Sequence, residues 1–233
     1  MPLHLHASDS ATTLDAELAE WVASRLKEGV ARRGMATLVV SGGRTPLGFF
    51  RQLRGIPLEW GKVTVTLSDE RWVPNDHADS NERLVREHLL RDAASAAAFV
   101  PLKFDAETPA HGARLASAAL APHHEAFDVV ILGMGEDGHT ASIFPDSPQV
   151  LAGLHDASNA ACIATENATK APRWRISMTA PRLLNAHNIV VHISGAAKWA
   201  LLGEALAGTE TERLPIRFAL QQERTPCHVF WCR

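Results

Sequence analysis

One glycine-rich segment contains the residue types needed for acid–base chemistry. Residues 133–142, GMGEDGHTAS (the third loop), follow a short apolar run and contain three glycines, two acidic residues and one histidine. Histidine is the side chain best suited to act as a general base near neutral pH. Asp137 lies two residues before His139, across a glycine bend, where it could orient the ring or stabilise its protonated form. The pattern predicts His139 as a general base and Asp137 as its partner.

Two other interpretations of this histidine remain open. A single histidine in a turn is more often structural, with its ring hydrogen-bonded locally. Glu136, Asp137 and His139 could also belong to a metal site, but no second histidine-rich cluster completes one, so no metal is predicted. Other histidines are interpreted as solvated surface residues, including His4, His6, His123 and His124.

Residues 41–46, SGGRTP (the first loop), have the properties of a phosphate or oxyanion cradle. Its glycines let the backbone approach a ligand, and the helix that follows offers free N–H groups. The segment matches neither the dinucleotide fingerprint nor the nucleotide-binding P-loop. A plain tight turn explains the glycines equally well. The predicted substrate contacts here are Gly42, Gly43, Arg44 and Thr45.

Residues 68–74, SDERWVP (the second loop), place three charged residues directly after an apolar run. Charges in such a position need a partner or a ligand. Arg71 is predicted to bind a phosphate through its planar guanidinium, and Asp69 to contact the substrate. The alternative is an internal ion pair of Arg71 with Asp69 or Glu70.

Residues 194–198, SGAAK (the fourth loop), place Lys198 in the first turn of a predicted helix. The helix dipole disfavours a cation at that end, so a bound anion would offset the penalty. Lys198 is therefore predicted to bind phosphate. A solvated surface lysine is the alternative.

The elements that must position these loops are short strands followed by helices. Strands before the four loops are predicted at Ala36–Val40, Val63–Leu67, Phe127–Leu132 and Ile189–Ile193. Further strands are predicted at Ala98–Leu102, Ala161–Thr165, Arg175–Thr179 and His228–Trp231, and helices over Thr13–Arg33, from Pro46, over Ser80–Arg91 and over Ala106–Leu120. Repeated strand–loop–helix units predict a mainly parallel α/β sheet with helices on both faces. Ligands of such sheets bind beyond the carboxyl ends of the strands, where all four loops lie.

Composition limits the number of domains, the kinds of partner and the cellular location that can be expected. A chain of 233 residues with 46% hydrophobic and 21% charged content, and no linker-like stretch, predicts a single domain over residues 1–233. The net charge of −3 argues against nucleic-acid binding. Neither a bilayer-spanning run nor a signal-peptide pattern is found, so a cytoplasmic protein is expected. The three cysteines lack zinc or redox spacing and are expected to be reduced.

Taken together, the four loops resemble one family, the 6-phosphogluconolactonases. The matching segments are SGGRTP, SDERWVP with SNERLVREHLL, DVVILGMGEDGHTASIFP, RISMTAPRLLNAHNIVVHISGAAK and LPIRFALQ. The resemblance implies the modified Rossmann-like fold shared by amino-sugar-phosphate deaminases and pentose-phosphate isomerases. It also implies cofactor-free hydrolysis of 6-phospho-glucono-1,5-lactone, with His139 as the base. The family pattern commonly reads SGGSTP, and this chain departs from it with Arg44 at the position of the serine.

Two rival functions are weighed against the lactonase. A deaminase or isomerase of the same fold resembles the pattern GxxDGHIAFNEP, with a carboxylate before the proline, where this chain has Phe144. A non-catalytic sugar-phosphate sensor would need a DNA-binding segment, for which the N-terminal helix leaves no room. The expected partner is a small phosphosugar lactone, with no membrane or nucleic acid, and the chain is expected to be a monomer or a weak homo-oligomer.

Overall fold

The computed structural model describes residues 3–155, 159–167, 169 and 171–233, so Met1 and Pro2 lie outside the described residues. Within these ranges the chain forms ten strands and eight α-helices. The strands are β1 (Leu3–Ser8), β2 (Ala36–Val40), β3 (Val63–Leu67), β4 (Asp69–Arg71), β5 (Ala98–Val100), β6 (Val129–Leu132), β7 (Cys162–Glu166), β8 (Trp174–Met178), β9 (Ile189–Ser194) and β10 (Cys227–Cys232). The helices are α1 (Ala11–Arg33), α2 (Leu47–Leu53), α3 (Asn81–His88), α4 (Pro109–Leu120), α5 (Val150–His155), α6 (Ala180–Leu184), α7 (Ala196–Ala207) and α8 (Arg217–Leu220).

Seven strands form a parallel sheet in the order β1-β10-β9-β6-β2-β3-β5. The side chains of β6 are all buried, and those of β9 are buried up to the exposed Ser194, as expected for central strands covered on both faces. The predicted mainly parallel α/β fold is confirmed. A second, antiparallel sheet of β4, β8 and β7 was not predicted.

Helix α1 shows how local sequence sets an element. The side chain of Ser10 accepts a hydrogen bond from the N–H of Thr13 at 3.1 Å, which caps the start. Gly34 ends the helix in the left-handed region, at φ 79°. The apolar residues Leu14, Leu18, Val22 and Leu26 of this helix are fully buried, and Trp21 and Val30 are half-buried. None of the helices in the described ranges has the length and apolar character needed to cross a membrane.

Strand β1 was missed by the sequence interpretation. It pairs in parallel with β10, whose residues lie at the other end of the chain. His6 is half-buried there, because its Nε2 lies 3.0 Å from Nδ1 of His228 and its ring stacks on Phe230. The interpretation of His6 as a solvated surface residue is therefore wrong. His123 is also half-buried, whereas His4 is exposed as expected.

Other predicted elements occur where expected, with ends shifted by up to three residues. Helix α4, for example, starts at Pro109 rather than Ala106 because Thr108 caps it. The second loop differs more, since Asp69–Arg71 form β4 and pair with β8. Helices α5, α6 and α8 have only four to six residues, too few to show a helical period in sequence. All three cysteines are free and buried.

Candidate active site

The four loops meet in one cavity of about 260 Å³ at the carboxyl ends of β2, β3, β6 and β9. The predicted site residues that line it are Gly42, Gly43, Thr45, Asp69, Arg71, His139 and Lys198. Arg44 is exposed and is not among the lining residues, so a contact between Arg44 and the substrate stays a prediction. Asp137 also lies outside the lining but contacts His139.

His139 and Asp137 form a hydrogen-bonded pair. Nδ1 of His139 lies 2.5 Å from Oδ1 of Asp137, and the same oxygen accepts the backbone N–H of His139 at 3.1 Å. A neutral imidazole that donates from Nδ1 keeps its lone pair on Nε2. Burial would raise the pKa of Asp137, but the hydrogen bond from His139 and the positive charge of that ring in its protonated form outweigh it and lower that pKa to about 2. The arrangement leaves Nε2 as the basic atom of the pair.

Hydrogen bonds within the third loop fix its backbone and hold this pair in place. The N–H of Gly135 donates to the carbonyl of His139 at 2.8 Å, and the hydroxyl of Thr140 donates to the carbonyl of Gly133 at 2.8 Å. Gly138 has φ 76°, and its carbonyl accepts the N–H of Ile216 at 3.0 Å. A rigid loop positions a base better than a mobile one.

Gly135 is the residue on which this geometry depends most closely. A Cβ added there would lie 2.0 Å from Nδ1 of His139 and 2.4 Å from Oδ1 of Asp137. We expect Gly135→Ala to keep the fold and to lower kcat by about 10- to 100-fold, because the pair must shift. Steady-state kinetics with a circular dichroism check would measure this.

The matched control is Gly203→Ala in α7, where an added Cβ meets nothing within 4 Å. It should leave kcat unchanged. Wild-type kcat in Gly135→Ala would show that the position of the pair does not limit the rate.

Phe144 packs against the ring of His139, with their centroids 4.6 Å apart. The guanidinium of Arg175 lies 5.8 Å from the centroid of the same aromatic ring. Phe144 is buried and offers no proton-transfer group at the position where the rival deaminase pattern has a carboxylate.

Arg175 is a cavity-lining cation that the sequence interpretation missed. It is buried, and burial lowers its pKa, which nearby Asp69 partly counteracts. Its Nε donates to the carbonyl of Pro172 at 2.8 Å, and its two Nη groups have no hydrogen-bond partner in the described residues. The signal in the sequence was an arginine at the first position of a predicted strand, which needs a partner when buried.

Arg71 and Lys198 are the other two cations of the cavity. Arg71 donates from Nη1 to the carbonyl of Asp79 at 2.6 Å. Among the described residues it makes no ion pair with Asp69 or Glu70, which was the alternative to a ligand-binding role. Lys198 is half-buried in the first turn of α7. Three cations from three separate elements, β4, β8 and α7, thus surround one cavity.

Protein carboxylates already occupy two of the helix N-termini near the cavity. Asp15 accepts the N–H of Phe49 in α2. Glu70 accepts the N–H groups of Asn81 and Glu82 in α3 at 2.7 and 2.6 Å. Helix α7 differs, because Gly195 stands at its N-cap and no side chain caps it. Its first turn is thus the helix end best placed to receive an anion.

The remaining polar residues of the cavity tie the loops together. Asp69 accepts the hydroxyl of Ser142 at 2.6 Å and that of Ser68 at 3.1 Å, which joins the second loop to the third. Asn81 and His192 also line the cavity and were not predicted. His192 is buried, so the interpretation of the other histidines as solvated surface residues is wrong for it. Within the described residues, no cluster of histidine, cysteine or acidic side chains is arranged to hold a metal ion.

A parallel α/β sheet with a histidine–aspartate pair and three cations beyond its strand ends defines a class: α/β proteins that act on small anionic molecules. The chain belongs to the glucosamine-6-phosphate isomerase/6-phosphogluconolactonase family, whose model matches residues 9–231.

Relatives cover nearly the whole chain. A 6-phosphogluconolactonase of Pseudomonas putida is 45% identical over 98% of this chain and 92% of its own length, and one of Rhizobium meliloti is 41% identical over 99% of both chains. The crystal structure of a 6-phosphogluconolactonase from Shewanella baltica superposes with a TM-score of 0.96 at 43% identity, covering 100% of this chain and 98% of that one.

Proposed function

We propose that this protein hydrolyses 6-phospho-D-glucono-1,5-lactone to 6-phospho-D-gluconate, with His139 as the general base. The observation that carries the proposal is that His139, paired with Asp137, lines one cavity with Arg71, Arg175 and Lys198. The names of the full-length relatives support the same activity. A δ-lactone is an activated ester, so a positioned water and charge stabilisation are sufficient for its hydrolysis.

In the proposed mechanism, Nε2 of His139 accepts a proton from a water molecule as the water oxygen attacks C1 of the lactone. Asp137 stabilises the resulting imidazolium through the bond at Nδ1. The tetrahedral intermediate then collapses, the bond between C1 and the ring oxygen breaks, and the imidazolium returns its proton to that oxygen. The products are the free carboxylic acid, which ionises, and the open-chain hydroxyl.

The first loop is the better candidate for stabilising the oxyanion. The N–H groups of Gly42 and Gly43 have no hydrogen-bond partner in the described residues, and both glycines line the cavity. In the third loop, the N–H groups of Gly135 and Gly138 already bond to carbonyls of that loop. Donors aimed at the developing charge contribute about 10²–10³-fold each.

The phosphate is proposed to bind at the start of α7. That helix end has no side-chain cap and carries Lys198, and Arg71 and Arg175 line the same cavity. Arginine and lysine both suit phosphate, arginine through its planar fork of donors.

Asp137→Asn should lower kcat/KM by about 10- to 100-fold, because the amide cannot stabilise the imidazolium electrostatically. The wild-type pKa of about 2 means that this carboxylate is ionised throughout the neutral range and loses its charge only as the pH falls below about 4. Asp137 should therefore produce no inflection of the rate between pH 5 and 9. Rate–pH profiles of both proteins test this, and an inflection in that range that persists in His139→Ala and disappears in Asp137→Asn would contradict it.

The direct test is hydrolysis of the phospholactone, corrected for its spontaneous rate, beside release of ammonia from glucosamine 6-phosphate. Acceleration of the first reaction alone is expected. Ammonia release without lactone hydrolysis would favour the deaminase, and binding without turnover of either would favour a sensor.

A further inference from the structure

Unpaired buried polar atoms concentrate at the cavity. In the described residues six buried side-chain atoms lack a hydrogen-bond partner, namely Arg25 Nε, Arg71 Nε, Asn81 Oδ1, Glu82 Oε2, Thr165 Oγ1 and His192 Nδ1. Three of the six belong to residues that line the one cavity: Arg71, Asn81 and His192. Buried polar atoms are normally paired, and an unpaired one at a binding site is explained when the ligand supplies its partner.

Asn81 presents an acceptor. Its Nδ2 donates to the backbone carbonyl of Asp69 at 2.8 Å, which sets the orientation of the amide and leaves Oδ1 as the unpaired atom. The amide lies directly on the first loop, where a Cβ at Gly42 would be 1.9 Å from Oδ1. The residue is 1% exposed, so this position is closely defined.

His192 presents a second acceptor. Burial lowers its pKa to about 4, so the ring is neutral at physiological pH and carries one N–H. Its Nε2 faces Oδ1 of Asp15 at 3.7 Å, which favours the proton on Nε2. Nδ1, the unpaired atom, is then left with its lone pair.

The chemistry of these atoms selects the part of the substrate that meets them. A phosphate dianion, a lactone carbonyl and a ring oxygen all accept hydrogen bonds and donate none. Only the hydroxyl groups of the sugar ring can donate to Oδ1 of Asn81 and Nδ1 of His192. Resting on the proposed function, we propose that Asn81 and His192 form a subsite that binds the ring hydroxyls and thereby distinguishes a sugar lactone from a plain lactone.

The test compares two phosphorylated δ-lactones, the natural gluconolactone and an analogue that carries the phosphate but no ring hydroxyls. Asn81→Ala and His192→Phe should each lower kcat/KM for the hydroxylated lactone by about 5- to 50-fold and leave that for the analogue within about 2-fold. A purely structural role would lower both values equally, and that outcome would overturn the proposal.

A further variant separates recognition from folding. Thr165→Val removes an unpaired buried hydroxyl outside the cavity and should leave both rates unchanged. Loss of the preference in Thr165→Val would show that it does not depend on the subsite.

Calorimetric binding of 6-phosphogluconate and its deoxy analogue gives a readout independent of turnover. The two cavity variants should bind 6-phosphogluconate more weakly and the analogue as tightly as the wild type does. If the wild type hydrolyses neither lactone, the proposed function fails. The binding differences still test whether Asn81 and His192 bind the hydroxyl groups. Equal binding of both compounds by the wild type would overturn it.

Discussion

His139→Ala is expected to lower kcat by about 10²–10⁴-fold, the usual contribution of a general base. The variant should fold normally, because the ring is partly exposed and its hydrogen bond is to a neighbour in the same loop. Its affinity for 6-phosphogluconate should change little, since the cations of the cavity remain. Steady-state kinetics at several pH values would measure kcat, and calorimetry would measure the affinity for 6-phosphogluconate.

A suitable control is His124→Ala, which changes an exposed histidine remote from the cavity lining. It should keep wild-type kcat. Full activity in His139→Ala would remove the general base from the mechanism, whereas lost binding with unchanged kcat would reassign His139 to substrate recognition.

Removing the 6-phosphate from the substrate should lower kcat/KM by about 10²–10⁴-fold. This estimate assumes two charge-assisted contacts of about 1.5–3 kcal/mol each, which is about 10- to 100-fold apiece. Arg71, Arg175 and Lys198 are the cations that would make them. The measurement is the rate of hydrolysis of gluconolactone with and without the phosphate, corrected for spontaneous opening.

A substrate-by-variant cycle identifies the residues involved. Lys198→Met and Arg175→Met should each lower kcat/KM for the phosphorylated lactone by about 10- to 100-fold and scarcely affect the free lactone. Lys62→Met, which removes an exposed lysine paired with Glu59, should affect neither. Equal rates on both lactones in the wild type would show that Arg71, Arg175 and Lys198 do not bind the phosphate.

Much of the fold follows from local signals. The burial of α1, its serine cap and its terminal glycine are all encoded within the helix and its flanks. Strand β1 is different, because its partner β10 lies more than two hundred residues away along the chain. No local sequence pattern predicts that pairing. The antiparallel pairing of β4 with β8 is likewise a long-range choice, which turned a predicted loop into a strand.

By itself, the sequence determined the parallel sheet, the four loops at its edge, and His139 with Asp137 as a local pair. These features depend on the periodicity of apolar residues, on the positions of glycines and on the separation of polar residues over a short stretch of chain. Only the tertiary structure decided that Arg175, Asn81 and His192 line the same cavity and that Asp69 joins the second loop to the third through Ser142. These contacts join residues distant along the chain, so their energies depend on packing and cannot be read from any one segment.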